Sequence, residues 1–193
     1  MLFRSIETLE PLRGLPLRKL VVSNNPGITS LEPLRGMSIE HLDINGCRVA
    51  SLEPLRGLPL KVLNALGNEI SDLTPLEDLP LTDVLVARNR VDDLSPLRRT
   101  ALDHLDISYN SVQSLEPLRG ARLERLTMRH NEVGSLEPLR GMSVRVLLLD
   151  DNPVESLLPL AGMPLEELSC PGAPLLNLEP FEQRPPAMFR FDS

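Results

Sequence analysis

The side chains of this chain that could carry out chemistry are its three histidines and the acids and serines near them. His41 and His104 each stand two residues before an aspartate, Asp43 and Asp106, and Ser108 follows the second pair. Serine, histidine and aspartate are the residue types of a nucleophilic triad, and histidine with aspartate can also bind a metal ion. Whether either arrangement can form depends on the elements that position these residues.

These residues belong to a unit that returns every 21 residues. In the unit from Leu102 to Arg122, Leu105 and Ile107 alternate with polar residues as in a strand, and Asn110 follows. A segment Ser-Leu-Glu-Pro-Leu-Arg-Gly completes the unit. After an incomplete first turn, full repeats begin at Leu17, Ile39, Leu60, Leu81, Leu102, Leu123, Val144 and Leu165.

The unit fits the pattern L-x-x-L-x-L-x-x-N-x-[IV]-x-x-L-x-P-L and so closely resembles a leucine-rich repeat. The resemblance is to the short class of bacterial internalins and of the nuclear regulatory subunit of type-1 protein phosphatase, and it covers about residues 6 to 180. It implies an α/β solenoid, a right-handed leucine-rich repeat with a concave parallel β-sheet and short 3-10 turns on the convex side. Such families mostly bind proteins. The resemblance transfers no functional residues, because the matching positions are structural.

Each L-x-x-L-x-L segment predicts a strand of about five residues, stacked in parallel on the next strand about 4.8 Å away. We expect strands at 18–22, 40–44, 61–65, 82–86, 103–107, 124–128, 145–149 and 166–170. The corner asparagines are expected to bond backbone groups of adjoining turns. They are Asn25, Asn68, Asn89, Asn110, Asn131 and Asn152, with Cys47 and Ala173 at that place in the second and eighth repeats.

The other half of each repeat predicts a single 3-10 turn. A helix N-cap residue type precedes each turn, proline follows inside it, and in five repeats glycine ends it. The expected N-caps are Ser30, Ser51, Asp72, Asp93, Ser114, Ser135, Ser156 and Asn177, and the glycines are Gly36, Gly57, Gly120, Gly141 and Gly162.

The unbroken repeat predicts one leucine-rich-repeat domain over residues 1–193. Within it we expect a half repeat or N-terminal cap at 1–16, eight repeats at 17–185 and a C-terminal cap at 186–193. A solenoid needs caps because its terminal turns expose leucines that no further turn covers. Phe189 and Phe191 are therefore predicted to pack over Leu165, Leu168 and Leu178.

This geometry argues against catalysis and metal binding. Residues four apart on a strand are separated by about 13 Å, so His104 and Ser108 cannot share one hydrogen-bonded relay. The pairs beginning at His41 and His104 lie three turns, about 14 Å, apart and cannot form one metal site. No phosphate-binding loop, dinucleotide fingerprint or Cys-x-x-Cys is present. We therefore expect a non-enzymatic protein with no catalytic residue, cofactor or metal.

Composition limits the partner and the compartment. A net charge of −7 and a pI near 5.0 argue against nucleic-acid binding. No apolar run approaches a membrane span, and the start lacks a signal peptide, so we expect a cytoplasmic protein without membrane contact. Cys47 and Cys170 lie about six turns apart, so both are expected to be buried free thiols.

Function is sought where the repeats differ. Alternate strand residues point outward on the concave face, and all three histidines and the only tyrosine, Tyr109, fall at such positions. The face is basic toward its start and acidic toward its end, which would orient a charged partner. We expect a monomer that binds a protein or peptide through Asp83, Arg88, His104, Asp106, Tyr109, Arg125, Arg129 and His130.

A second interpretation stays open at this point. The chain could be the leucine-rich-repeat fragment or recognition module of a larger bacterial enzyme, sensor or effector. The half repeat at the start supports this interpretation. The full-length reading frame would distinguish the two.

Overall fold

The computed structural model describes residues 6–171, 181 and 185–190. Within them, nine short strands alternate with eight 3-10 turns for most of the chain. The strands are β1 Lys19–Val21, β2 His41–Asp43, β3 Val62–Asn64, β4 Asp83–Leu85, β5 His104–Asp106, β6 Arg125–Thr127, β7 Val146–Leu148, β8 Glu167–Ser169 and β9 Met188–Arg190. The turns are η1 Glu10–Leu12, η2 Glu32–Leu34, η3 Glu53–Leu55, η4 Thr74–Leu76, η5 Ser95–Leu97, η6 Glu116–Leu118, η7 Glu137–Leu139 and η8 Leu158–Leu160.

The nine strands form one parallel sheet in chain order. The solenoid predicted from the repeat is confirmed, and each predicted strand is found at its expected place. The strands are three residues long rather than five, but the flanking residues continue the hydrogen bonding. For example, the N–H of Glu40 donates to the carbonyl of Arg18, and the N–H of Val22 donates to that of Asp43.

The ninth strand was not predicted from the sequence. In β9, Phe189 pairs in register with Leu168 of β8 and packs against the leucine core. Its ring also meets the buried Phe181 edge-on, with 5.1 Å between centroids. Leu178, one of the leucines predicted beneath the cap, and Phe191, its second predicted ring, lie outside the described residues. The strand therefore adds an aromatic layer next to β8.

The 3-10 turns on the side opposite the sheet follow the sequence motif closely. Proline lies inside each turn, and the five glycines expected to end turns have φ between 71° and 76°. The N-cap prediction was one residue off: the hydroxyl of Ser30 accepts the N–H of Glu32, while Leu31 occupies the N-cap itself. Side chains this short reach the backbone two residues ahead more easily than three.

Five Glu–Arg pairs repeat on these turns. In one of them, the guanidinium nitrogens of Arg119 lie 2.6 and 3.0 Å from the carboxylate oxygens of Glu116.

No helix in the described part of the chain is long and apolar enough to cross a membrane.

The corner asparagines bond to adjoining turns as expected. The amide of Asn131 donates to the carbonyls of Ile107, Met128 and Arg129, and its oxygen accepts the N–H of Val112. The same bonds recur at Asn68, Asn89, Asn110 and Asn152. Each asparagine thus satisfies backbone groups in its own turn and in the turn before it.

The second repeat has a cysteine at this corner, and the corresponding backbone groups find their hydrogen-bond partners in a different way. The thiol of Cys47 donates to the carbonyl of Val22 at 3.5 Å, but its sulfur is only a weak acceptor and does not take the place of the amide oxygen for the N–H of Ile28. The extra residue of the first repeat lets that N–H donate to the carbonyl of Asn25 instead. The insertion therefore compensates for the missing amide. Cys47 and Cys170 are both buried free thiols, as predicted.

Candidate functional site on the open face of the sheet

The candidate site is built on the open face, which we define as the side chains of the first and third residues of each strand, pointing away from the leucine core. In most strands the middle residue is buried and these two are more exposed. In-register pairing aligns them into two columns. The first column is Lys19, His41, Val62, Asp83, His104, Arg125, Val146, Glu167 and Met188. The second column is Val21, Asp43, Asn64, Leu85, Asp106, Thr127, Leu148, Ser169 and Arg190.

The first column brings two of the predicted binding residues into contact. Nδ1 of His104 lies 2.7 Å from an Asp83 carboxylate oxygen, and the Thr82 hydroxyl donates to the other oxygen. Asp106 accepts the backbone N–H of Ser108. The hydroxyl of Ser108 accepts the backbone N–H of Arg129. Among the described contacts, no side-chain hydrogen bond therefore joins His104 to Asp106 or to Ser108.

A third row of side chains lies at the rim, directly before each corner asparagine. We call Arg88, Tyr109, His130 and Asp151 the rim ladder. The guanidinium carbon of Arg88 lies 4.2 Å from the centroid of the Tyr109 ring, and the His130 ring stacks on the other face at 4.2 Å. Nε2 of His130 is 3.1 Å from a carboxylate oxygen of Asp151. Four consecutive turns are therefore linked by side chains along the rim.

The backbone beneath the rim ladder is unusual. Its four residues have φ between 50° and 56°, the left-handed region that costs an L-residue about 1–2 kcal/mol. The three preceding repeats place Asn24, Gly46 and Gly67 at this position, residues that adopt the conformation more easily. An exposed cation–π contact stabilises the fold by only about 0.5–1 kcal/mol. The ladder is therefore not the least costly way to build this corner.

A second chain of contacts lies beside the rim ladder. Nε of Arg129 donates to Asp150 at 2.8 Å, and the hydroxyl of Ser169 donates to the other carboxylate oxygen. The backbone N–H of Arg129 also donates to the hydroxyl of Ser108. Arg129 is therefore tied to the scaffold and is less available to a partner than its position in the sequence suggests.

The structure sorts the eight predicted binding residues into separate groups. Asp83 with His104, and the rim ladder, are contact groups, whereas the exposed side chain of Arg125 makes no hydrogen bond or ion pair with any residue that the structure describes. Asp150 and Asp151 were not among the predicted site residues. The repeat could have indicated Asp151, because it precedes Asn152 as His130 precedes Asn131.

The open face is also less polar and less charged than the sequence indicated. Val146 and Leu148 in β7 are only 9% and 8% exposed. Several charges are already paired across turns: Arg18 and Lys61 with Glu40, Arg90 with Glu69, and Arg145 with Glu166. Each of these pairs lies within one half of the solenoid, so pairing leaves the predicted basic-to-acidic polarity along the solenoid unchanged.

Among the ionisable groups near the sheet, two examples show how the pKa is shifted. The hydrogen bond from Lys61, with the nearby charges of Lys61, Arg18 and His41, holds the pKa of Glu40 below its usual value. On the core side, burial raises the pKa of the Cys170 thiol to about 11. Within the described residues, no group of three or more histidines, cysteines or acids is arranged to hold a metal ion.

Comparison with known proteins agrees with this architecture. No protein-family model matches the chain, and no curated protein matches its sequence significantly. Among solved structures, internalin C2 from Listeria monocytogenes is similar with a TM-score of 0.75 and 27% identity, covering 86% of this chain and 76% of that one. The internalin InlF of the same organism has a TM-score of 0.60 and 19% identity, over 92% and 67%. The chain is therefore a leucine-rich-repeat protein with an internalin-like solenoid.

Proposed function

We propose that this protein is a non-catalytic scaffold that binds a protein or peptide on its open face, the face expected to be concave. The internalin-like solenoid supports a role in protein–protein interaction in general. The proposed contact region runs from β4 to β6 and the corners after them. It comprises Asp83, Arg88, His104, Asp106, Tyr109, Arg125, Arg129 and His130.

The contrast between the two sides of the solenoid carries this proposal. The side opposite the sheet repeats the same Glu-Pro-Leu turn in five copies, and the core repeats leucine. On the open face the residues change from one turn to the next. A surface that varies on an invariant scaffold is where a specific partner is recognised.

Two features support this choice of contact region. Tyr109 is 39% exposed at the centre of the rim, and aromatic and arginine side chains in central positions tend to dominate binding energy. Around it, Asp83, Asp106 and Asp151 are acidic, and the net charge of the whole chain is −7. A protein therefore suits this surface better than a nucleic acid.

The test is a double substitution, Tyr109→Ala with Arg125→Ala. Arg125 is preferred to Arg129, because reversing the charge of Arg129 would place two carboxylates together at Asp150. A partner captured from cells that produce the protein would then be titrated against the purified variants. The double variant should bind at least about 30-fold more weakly, equivalent to about 2 kcal/mol.

Arg119→Ala is the matched control. This arginine is similarly exposed but lies on the side opposite the sheet, paired with Glu116. It should retain the affinity of the unmodified protein. Equal affinity of the double variant and the unmodified protein would show that the partner binds another surface.

A further inference from the structure

The rim ladder joins four turns, and its two ends carry opposite charges. Arg88 forms no ion pair with any residue that the structure describes, and Asp151, with 58% of its side chain exposed, contacts the imidazole of His130. We propose that the rim ladder docks an extended segment of a protein partner, with an acidic side chain over Arg88 and a basic side chain over Asp151. This inference rests on the proposed function and adds the chemistry of the partner.

The backbone indicates that these side chains serve the surface rather than the fold. All four ladder residues have positive φ, and the earlier repeats meet the same need with Asn24, Gly46 and Gly67. Histidine and aspartate adopt this region more often than most residues, but at Arg88 and Tyr109 glycine or asparagine would build the corner with less strain. Strained residues that the fold does not require are typical of binding sites.

The tyrosine acts as a spacer between the two charges. Both faces of the Tyr109 ring are covered, one by the guanidinium of Arg88 and the other by the ring of His130. A partner can therefore reach only the edge of the ring and its hydroxyl group. The stack holds Arg88 and Asp151 at a fixed separation.

That separation selects the conformation of the partner. Three turns of a parallel sheet span about 14 Å, and side chains four residues apart on an extended strand lie about 13 Å apart on the same side. In an α-helix the residues separated by that distance are about nine apart and point to opposite sides. An extended segment therefore fits, with its middle side chain over Tyr109 and His130.

The neighbouring charges do not compete for this segment. Asp150 is occupied by Arg129 and by the hydroxyl of Ser169. Across the corner, Glu132 bonds to Gln113. Arg88 and Asp151 are thus the charges of the rim that remain available to a partner.

Selection from a randomised 12-residue peptide library on the purified protein tests the inference, with the length chosen to be about 40 Å when extended. The unmodified protein should enrich peptides with an acid and a base four residues apart, in either chain direction. Asp151→Lys should instead enrich peptides with two acids four apart. Glu132→Lys, which makes the same charge change beyond the corner, should retain the original preference.

Asp151→Asn provides a second variant that suits the left-handed backbone. A peptide selected on the unmodified protein should bind it about fivefold more weakly, near the upper end for an exposed ion pair. Peptides whose charges do not respond to Asp151, or a selection with no four-residue pattern, would overturn the inference. The proposed function would still be supported if the captured partner lost affinity for the double variant at Tyr109 and Arg125.

Discussion

Replacing Asn131 by alanine would measure what the corner asparagines contribute to stability. Its side chain is 7% exposed and makes four hydrogen bonds. The two buried carbonyls, those of Ile107 and Met128, each keep an amide from a neighbouring corner asparagine. The carbonyl of Arg129 keeps the N–H of Tyr109. Alanine therefore leaves one group without a partner, the N–H of Val112.

These contacts set the expected magnitude. An unpaired buried N–H costs about 1–3 kcal/mol, and each lost hydrogen bond about 0.5–1.5 kcal/mol. The three donated bonds belong at the low end, because every carbonyl retains another donor. Asn131→Ala should therefore reduce the free energy of unfolding by about 2.5–4.5 kcal/mol, which corresponds to a fall in Tm of about 5–18 °C for a chain of this size.

Urea and thermal unfolding followed by circular dichroism would measure the loss. Asn45→Ala is the matched control, because Asn45 lies at a corner where its half-exposed side chain does not bridge turns. It should change the unfolding free energy by less than about 0.5 kcal/mol. If Asn131→Ala and Asn45→Ala unfolded together, the asparagine bonds would not be what stabilises the turns.

Asn131→Asp tests the accepting oxygen of this side chain separately from its donating amide. Aspartate can still accept the N–H of Val112, but it loses the donors and points a carboxylate oxygen at carbonyl oxygens. It should destabilise the protein at least as much as alanine near neutral pH. The loss should shrink as the pH falls, because a protonated carboxyl donates a hydrogen bond.

Three other outcomes follow from the described contacts. Burial raises the pKa of both thiols, that of Cys170 to about 11, so alkylation at pH 8 followed by mass spectrometry should be slow in the folded protein and complete in denaturant. Each of five exposed turn glutamates, including Glu116, has its pKa lowered by the arginine that donates to it. The contribution of these pairs to stability is therefore full above pH 4.5 and is lost as the pH falls through the lowered pKa. The midpoint of unfolding should drop over that range, by less at high salt, and an unchanged midpoint would contradict this. Phe189→Ala should cost about 1–3 kcal/mol in urea unfolding, and Phe189→Leu, which keeps most of the apolar volume but loses the ring contact with Phe181, clearly less; equal losses would contradict the expectation that apolar volume is the main contribution of this side chain.

The strands could be predicted because each residue of the repeat has a fixed role. The buried leucines recur every 21 residues, or 22 in the first repeat with its extra residue, and this spacing sets the parallel register seen from β1 to β8. The ninth strand could not be predicted in this way. Met188, Phe189 and Arg190 lie in a stretch rich in proline that lacks the leucine spacing, and they pair because β8 offers a free edge.

The candidate site was only partly predictable. The columns follow from the register, so the repeat period is enough to make Asp83, His104 and Arg125 neighbours. Which side chains pair depends on rotamers and backbone angles that a period does not specify. The side chain of Arg129 bonds to Asp150, and Tyr109, whose φ is positive, stacks between Arg88 and His130. Neither contact follows from the repeat pattern.

The corner asparagines also affect how the length of the protein can change. Each accepts an N–H from a residue 19 positions earlier, and the same separation recurs at five successive interfaces. Removing or duplicating one whole period of sequence rebuilds every interface from equivalent residues, because each turn contacts only its neighbours. Gene duplication can therefore lengthen or shorten the open face without altering the chemistry of any single turn.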